Sequence, residues 1–223
     1  LLVGAVVNQR PELFAAALKA EFARSPDDWR ELALSEIGTT VTGSTPRTSD
    51  AGSLGGDLPF IKPGDFLPDG RLDYENEGLS EKGAAVSRVL PPGCALMVCI
   101  GATIGKAGYS DRRIATNQQI NAVVPNAGIS GEFIYLQMIA PDFQREVLRN
   151  AGQATLPIIN KSKWSALKVR LPKDLAWQYE ITGRMLSLRD VISDLELRYN
   201  DACSELDTLH QSLLQKAFSG ELS

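Results

Sequence analysis

The stretch that decides the fold is ITGRMLSLRDVISDLELRYNDACSELDTLHQSL, residues 181–213. Its apolar residues recur at alternating steps of four and three, which is the a/d seam of a coiled-coil helix. At 1.5 Å per residue, these 33 residues predict a helix of about 50 Å. The seam consists of Ile181, Met185, Leu188, Ile192, Leu195, Tyr199, Ala202, Leu206, Leu209 and Leu213.

A stripe so narrow on so long a helix cannot be buried by one compact domain. The sequence therefore predicts that this helix pairs with a second helix, either from another copy, as a homodimer, or next to a second domain. Tyr199 and Ala202 fit a seam less well than leucine, so we expect the helix separation to change there. The alternative is an ordinary helix that lies across its own domain.

The composition of the chain and the positions of its glycine, proline and turn residues divide it into three parts: residues 1–28, 29–173 and 174–223. The first part is predicted to be a helical segment. Within it, Pro11–Phe22 begins with a proline that suits a first helical turn, and apolar residues recur at every fourth position. The third part holds the long helix, which we expect to begin near residue 174.

Residues 29–173 have the pattern of a mixed domain. Glycine and proline separate short apolar runs in which β-branched residues are common, which favours strands. A helical stretch, Glu132–Asn150, is interrupted at Pro141, and long loops cover Gly43–Asp57 and Pro63–Gly83. The predicted fold class is α+β, a globular mixed domain followed by a long C-terminal coiled-coil helix. The predicted strands are Leu58–Ile61, Val86–Leu90, Ala95–Ile100, Ile120–Val124 and Leu167–Leu171.

The formal charge of the chain is −4, but the charges are distributed unevenly. Residues 40–173 carry fifteen basic and twelve acidic side chains, whereas residues 174–223 carry four basic and nine acidic ones. Residues 143–173 hold seven basic side chains against one acid, Glu146. This local excess predicts contact with phosphates, while the acidic helix stays away from nucleic acid. A solvated basic face is the alternative.

Metal and membrane functions are disfavoured. Cys94, Cys99 and Cys203 match no zinc spacing, and His210 is the only histidine, so we expect no metal site. The pattern of cysteines suits small buried residues in a reducing, cytoplasmic setting. The sequence holds no run of about 18 apolar residues, so it predicts no membrane span.

Catalytic functions are also disfavoured. Residues 101–107 differ from a phosphate-binding loop in the spacing of their glycines and in the residue after the lysine, and we interpret them as a tight turn between strands. A nuclease site can be imagined from Asp65, Asp69 and Lys62, but these residues lie in a turn region where aspartate is common for backbone reasons. We therefore expect no catalytic residue and no bound cofactor.

An ordered series of short stretches runs through the chain: Trp29, Leu32, Glu36–Gly38, Thr42–Pro46, Pro59–Asp65, Gly101–Gly105, Thr116–Gln118, Gly152–Thr155, Ile159–Asn160, Leu167, Val169–Pro172 and Leu213–Leu222. This series resembles the DNA-specificity subunits of type I restriction–modification systems, and the likeness covers residues 11–223. Members often begin the long helix with a Pro-rich turn followed by Glu-Gln. This chain has Pro172–Gln178 there, with only the Gln in place.

A typical member of that family carries two recognition domains, and this chain has room for one. The resemblance therefore implies a half-subunit that dimerises through its helices into a two-headed reader of double-stranded DNA. The implied partners are modification (methyltransferase) subunits, which use S-adenosylmethionine, and a restriction subunit driven by ATP. The resemblance implies that this chain itself binds neither cofactor.

Polar and basic loop residues are the candidates for DNA contact. Hydroxyl groups can contact backbone or bases, and arginine or lysine can reach guanine or phosphate. We predict a DNA face made of Ser44, Thr45, Arg47, Lys62, Lys106, Arg112, Arg113, Gln153, Thr155, Lys161 and Lys163. The amides of residues 116–121 can pair with adenine, but the resembled family shows them broadly while its targets vary. A structural role is therefore favoured for Asn117 and Gln118.

The leading hypothesis is a non-catalytic subunit that reads one half of a bipartite DNA site and directs methylation and cleavage by partner subunits. The long helix would fix the distance between two half-sites. The alternative is an oligomerisation or adaptor protein whose α+β domain binds protein rather than DNA.

Overall fold

The structure is a computed structural model that describes residues 10–24, 29–47, 52–67, 70–152 and 156–219. The chain divides into two compact units, which we call the globular unit (residues 1–182) and the helix unit (residues 183–223). The predicted α+β class with a long C-terminal helix is confirmed. The helices are α1 Arg10–Ala23, α2 Leu34–Ile37, α3 Glu81–Val86, α4 Gly131–Ile139, α5 Pro141–Ala151, α6 Lys161–Ser165 and α7 Leu175–Ser219.

The described residues form ten strands in three sheets. The central sheet has the order β2-β9-β6-β7 and is antiparallel throughout. A smaller sheet has the order β4-β3-β8-β5, in which β3 and β8 are parallel, and β1 pairs with β10. The strands are β1 Arg30–Ala33, β2 Gly38–Thr42, β3 Leu54–Ile61, β4 Gly78–Leu79, β5 Val89–Leu90, β6 Cys94–Val98, β7 Ala107–Ser110, β8 Ile114–Thr116, β9 Ile120–Pro125 and β10 Lys168–Leu171.

The core lies around the middle of the central sheet. All five residues of β6 are buried, which explains why this strand is a continuous apolar run instead of an alternating one. Helix α4 packs on β6 and β7, and its Phe133, Ile134 and Leu136 are fully buried. Trp164 of α6 is also fully buried, and its indole N–H donates to the sulfur of Met97 at 3.3 Å.

Helix α1 is part of the globular unit. It packs against α4 and α5, where Leu18 is 1% exposed and the ring of Phe22 meets the ring of Phe133 edge-on at 5.8 Å. The predicted N-terminal helix is thereby confirmed. The predicted break at Pro141 is confirmed as well, since that proline occupies the first turn of α5.

The predicted strand Val86–Leu90 is only partly correct. Its first residue ends α3, and only Val89–Leu90 form a strand. The helix forms because the hydroxyl of Ser80 caps it by accepting from the N–H of Gly83 at 3.2 Å. The other predicted strands are each present, with ends shifted by a few residues.

The long helix begins inside the globular unit, at Leu175. Gln178 is 1% exposed, and its side chain accepts from the N–H of Ser130 at 2.8 Å and donates to the carbonyl of Gly128 at 3.2 Å. A buried amide with both groups bonded fixes the first turn of α7 on the loop that precedes α4. This contact gives a physical role to the single Gln that the start of the helix retains.

One predicted seam residue is part of the core of the globular unit. Ile181 is 3% exposed, so it offers no surface to a partner helix. From Leu188 onward the helix unit is more open, and Leu195 and Leu206 are 59% and 64% exposed. The other predicted seam residues stay a prediction of an interface.

Candidate nucleic-acid interface

The ends of several strands meet at one edge of the central sheet. Thr42, the last residue of β2, faces Asn121 of β9, and Val98, the last residue of β6, faces Ile120. β7 begins at this edge too, because Ala107 faces the neighbouring residue of β6. The loops that follow β2 and β6 and the turn that precedes β9 therefore lie side by side.

Two further segments are bonded to these loops. The N–H of Asn117 donates to the carbonyl of Ile61 at 3.2 Å, which brings Lys62 to the same edge. The N–H of Ile159 donates to the carbonyl of Cys99 at 3.0 Å, which brings in the segment before α6. We call this surface the loop edge, and it comprises residues 43–47, 62, 99–106, 117–119 and 156–161.

The loop after β2 carries three of the predicted residues. The hydroxyl of Ser44 accepts from the backbone N–H of Arg88 at 2.9 Å, so it acts within the protein. The hydroxyl of Thr45 donates to the side-chain oxygen of Gln118 at 2.5 Å, and both side chains lie at the surface. Arg47 is exposed at the end of the same loop. This loop therefore offers a cation and a hydroxyl–amide pair.

Two predicted lysines are engaged by neighbouring groups. Lys62 forms an ion pair with Glu77 and lies 5.5 Å from the centre of the Phe60 ring. The ammonium of Lys106 donates to the carbonyl of Phe66 at 3.3 Å. Because Lys62 already has a carboxylate partner, it is a weaker candidate for a phosphate contact than an exposed lysine.

Helix α6 presents its two predicted lysines differently. Asn160 caps the helix by accepting from the N–H of Lys163 at 2.9 Å, and Lys161 is exposed next to the cap, at the loop edge. The ammonium of Lys163 instead donates to the carbonyl of Asn150 at 3.5 Å, at the end of α5. Lys161 is thus the better-placed of the two for a ligand at the loop edge.

Arg112 and Arg113 lie at the opposite edge. They follow β7, whose last residue, Ser110, faces Cys94 at the far end of β6. Three steps of about 3.4 Å separate that end of β7 from the loop edge, or about 10 Å. Arg112 packs over the ring of Tyr74 at 4.6 Å. The structure therefore does not bring these two arginines together with the rest of the predicted face, and Gln153 and Thr155 lie outside the described residues.

The basic residues of α5 are not at the loop edge either. Arg145 pairs with Asp142 at 2.9 Å and Arg149 pairs with Glu146 at 2.5 Å, each one turn apart on the helix. Next to them lies a groove of about 670 Å³ between α1, α5, α6 and β10, with both signs of charge on its rim. Lys163, Lys168 and Arg170 line this groove together with Glu31, Asp142 and Glu146, so the basic excess of residues 143–173 is partly balanced by acidic side chains there.

Three side chains that could supply catalytic or ligand chemistry, those of Asp65, Cys94 and Cys99, are buried. Asp65 is 6% exposed, and its carboxylate accepts from the N–H of Lys62 at 2.7 Å and from the amide of Asn76 at 2.8 Å. Burial raises the pKa of both Cys94 and Cys99 to about 12. No group of three or more His, Cys, Asp or Glu residues suited to a metal ion occurs among the described residues, and Asp69 is not one of them.

Two residues that the sequence did not single out support the loop edge. The guanidinium of Arg88 donates to the carbonyl of Thr42 at 2.7 Å, which holds the start of the loop after β2. The amide of Gln144 donates to the carbonyl of Gly105 at 2.8 Å and holds the turn between β6 and β7. That turn confirms the interpretation of residues 101–107. Nothing local in the sequence marks either supporting residue, because their partners are 39 or more positions away.

No helix in the described part of the chain is both long enough and apolar enough to cross a membrane.

Comparison with known proteins identifies the family to which this chain is similar. Residues 26–200 match the family described as type I restriction modification DNA specificity domain. The type I restriction enzyme HindI specificity subunit of Haemophilus influenzae is 29% identical over 203 residues, which are 88% of this chain and 42% of that protein. The MjaIX specificity subunit of Methanocaldococcus jannaschii is 25% identical over 194 residues, which are 84% of this chain and 44% of that protein.

Solved structures share the fold. The HsdS subunit from Thermoanaerobacter tengcongensis superposes with a TM-score of 0.62 at 22% identity, covering 99% of this chain and 53% of that one. A chain from a structure of a type I R-M system gives a TM-score of 0.77 at 22% identity, covering 97% and 53%. This chain therefore spans about half the length of the proteins that it matches. It belongs to the family of type I restriction–modification DNA specificity subunits.

Proposed function

We propose that this chain is a non-catalytic subunit that reads one half of a bipartite DNA site, and that partner subunits carry out methylation and cleavage. The observation that carries the proposal is the loop edge, where segments from five parts of the chain converge on one side of a rigid sheet. Recognition residues are commonly held on loops that a rigid scaffold positions. Membership of a DNA-specificity family supports DNA as the ligand.

The chemistry of the loop edge suits a duplex. Arg47 and Lys161 are exposed cations that can contact phosphates and fix the register of the protein on DNA. Thr45 and Gln118 offer hydroxyl and amide groups, which can contact base edges. The helix unit carries the excess of acidic residues, which disfavours DNA contact along it.

The helix unit is proposed to pair with the same segment of a second copy. Support comes from the seam leucines, which remain more than 40% exposed at Leu195, Leu206, Leu209 and Leu213. Helix α7 has 45 residues, or about 68 Å at 1.5 Å per residue. Such a pair would hold two reading units at a fixed separation, and this separation would set the spacing between the half-sites. Modification and restriction subunits are the proposed further partners, in the cytoplasm.

Charge reversal at the loop edge tests the DNA proposal. In the complex purified from its host, Arg47→Glu with Lys161→Glu should weaken binding to every duplex and reduce the slope of log K against log salt by about two, one for each lost phosphate contact. The measurement is a fluorescence-anisotropy titration at several salt concentrations. Arg112→Glu with Arg113→Glu, at the opposite edge, is the matched control and should leave both quantities unchanged.

Two results would contradict the proposal. Equal effects of the two double variants would show that the loop edge is not the DNA face. Binding by the unaltered complex without any sequence preference would favour the alternative, an adaptor whose globular unit binds protein.

A further inference from the structure

Two half-exposed aliphatic side chains lie at the loop edge. Leu156 is 55% exposed and Ile158 is 45% exposed, in the segment that leads into α6. A single exposed leucine on a protein surface needs no explanation. Two large apolar residues two positions apart, among exposed polar and cationic residues such as Thr45, Arg47 and Lys161, do need one. We call Leu156 and Ile158 the apolar pair.

The backbone of the apolar pair is bonded to the turn that follows β6. The N–H of Gly101 donates to the carbonyl of Pro157 at 3.0 Å, and the N–H of Ile159 donates to the carbonyl of Cys99 at 3.0 Å. These bonds lie on either side of Ile158. The segment is therefore held in place before any ligand binds, which lowers the entropic cost of a contact made there.

Both side chains are partly packed on the protein. Ile159 is 1% exposed and points into the core, so its neighbour Ile158 points outward. Leu156 lies over the turn after β6, since a Cβ added to Gly101 would be 4.0 Å from its Cδ1. About half of each side chain is covered, and the remainder forms a low apolar surface at the loop edge. A wedge that inserts between base steps would have to project further.

Few groups on a DNA duplex match a low apolar surface. In the major groove the base edges present hydrogen-bond donors and acceptors, and the exception is the C5-methyl group of thymine. Phosphate oxygens are charged and suit cations such as Arg47 and Lys161. The feature of the base edges that complements the apolar pair is therefore a thymine methyl group.

We infer that the apolar pair contacts the C5-methyl group of a thymine in the major groove, and that it makes the protein select thymine at one position of its half-site. The contact removes the methyl group and the two aliphatic side chains from water, which stabilises the complex. Burial of one methyl-sized group corresponds to about a fourfold gain in affinity. The inference rests on the proposed function and makes it specific, with phosphate contacts that position the duplex and an apolar contact that specifies a base.

The place of the apolar pair in the chain suits residues that differ with the target. The stretches that carry the family resemblance on either side of it are Gly152–Thr155 and Ile159–Asn160, and the pair belongs to neither. Ile159, in the second stretch, makes one of the backbone bonds that hold the segment. A residue of a shared stretch thus positions side chains that are free to differ between members with different targets.

Selection from a pool of duplexes with a randomised segment locates the position. The complex purified from its host is used, with nonspecific DNA in excess. The unaltered protein should enrich thymine at one position where the double variant Leu156→Ala, Ile158→Ala has no preference, and the two proteins should agree elsewhere. The salt slope should be unchanged, because no phosphate contact is lost. Leu13→Ala is the matched control, since Leu13 is a 59% exposed leucine on α1, outside the loop edge.

Deoxyuridine isolates the contribution of the methyl group. Uracil pairs as thymine does and lacks only the C5-methyl group, so replacing the selected thymine by deoxyuridine should weaken binding by the unaltered complex about fourfold. The double variant should bind the two duplexes equally, as measured by fluorescence anisotropy. A partly unfolded variant would bind both duplexes more weakly and still distinguish them, so equal binding reports the contact itself.

Other results would overturn the inference. If the double variant keeps the thymine preference, the apolar pair does not read a base, and if the deoxyuridine duplex binds as tightly as the thymine duplex, the methyl contact does not form. The proposed function stands in both cases. If the double variant loses its modification subunits, the apolar pair faces protein instead of DNA. If the unaltered complex enriches no sequence, the inference and the proposed function fail together.

Discussion

The globular unit and the helix unit differ in how far their apolar side chains are buried. In the globular unit, large side chains such as Trp164 and Phe133 are fully buried. In the helix unit, Leu195 and Leu206 are more than half exposed although they belong to a regular apolar seam. The globular unit therefore supplies its own core, whereas the helix unit has a stripe that is stabilised only when something covers it. We expect the folding of the first to be intrinsic and that of the second to depend on association.

Removing seam leucines is the largest expected perturbation of this contrast. Leu206→Asp with Leu209→Asp should dissociate the proposed homodimer. Four buried leucine side chains per dimer are lost, at about 1.5–3 kcal/mol each, or about 6–12 kcal/mol in total. Sedimentation velocity at tens of micromolar protein measures the effect. Leu197→Asp, a 62% exposed leucine outside the seam, should leave the dimer intact. A monomeric unaltered chain at that concentration would contradict the pairing.

The next largest expected effect is on the stability of the globular unit, where substitutions at a buried and at an exposed tryptophan can be compared. Trp164 is fully buried, so Trp164→Ala should lower the free energy of unfolding by about 3–5 kcal/mol through lost burial and a cavity. Trp177 is 55% exposed, and Trp177→Ala should change it by less than about 0.5 kcal/mol. Urea unfolding followed by circular dichroism compares the two. Similar losses for both variants would mean that the core does not extend to α6.

The sequence predicted the helices and helix boundaries that depend on local patterns of residues. The heptad steps from Ile181 to Leu213 locate most of α7 but not its start at Leu175, which was expected only approximately, near residue 174, and Pro141 locates the boundary between α4 and α5. β1, β2, β4, β7 and β8 were missed. They are two to five residues long and carry polar residues or glycine, so no apolar run marks them. Their pairing is also remote, since Arg30 faces Leu171.

The sequence indicated which types of residue the candidate site would contain, but not which loops would lie at the same edge of the sheet. Thr45, Arg47 and Lys161 come together at the loop edge, as the sequence-based face required. Arg112 and Arg113 do not, because the order and direction of strands in the central sheet decide which loops share an edge. The seam prediction likewise included Ile181, whose burial depends on how the first turns of α7 pack.

The cysteines allow a finer test of the contrast between the two units. Cys94 and Cys99 are buried in the globular unit, whereas Cys203 lies beside Ala202 on the seam of the helix unit and is partly exposed. Burial raises the pKa of both buried thiols from 9.0 to about 12, so at pH 8 about one in 10,000 is a reactive thiolate. We expect alkylation at pH 8 to modify one thiol per native chain and all three in denaturant, measured by mass spectrometry.

The sign of the pKa shift makes pH 8 a suitable condition for that measurement. A pKa that is raised in the folded state contributes stability that is complete below the unfolded value of 9.0 and declines as the pH rises towards about 12. The native chain is therefore not opened by the pH itself. Pairing through the seam should slow alkylation of Cys203 as protein concentration rises, and the Leu206→Asp, Leu209→Asp variant should remove that protection. Labelling of Cys203 that is independent of concentration would place it outside any interface, and rapid native labelling of Cys94 or Cys99 would mean that the globular unit opens on its own.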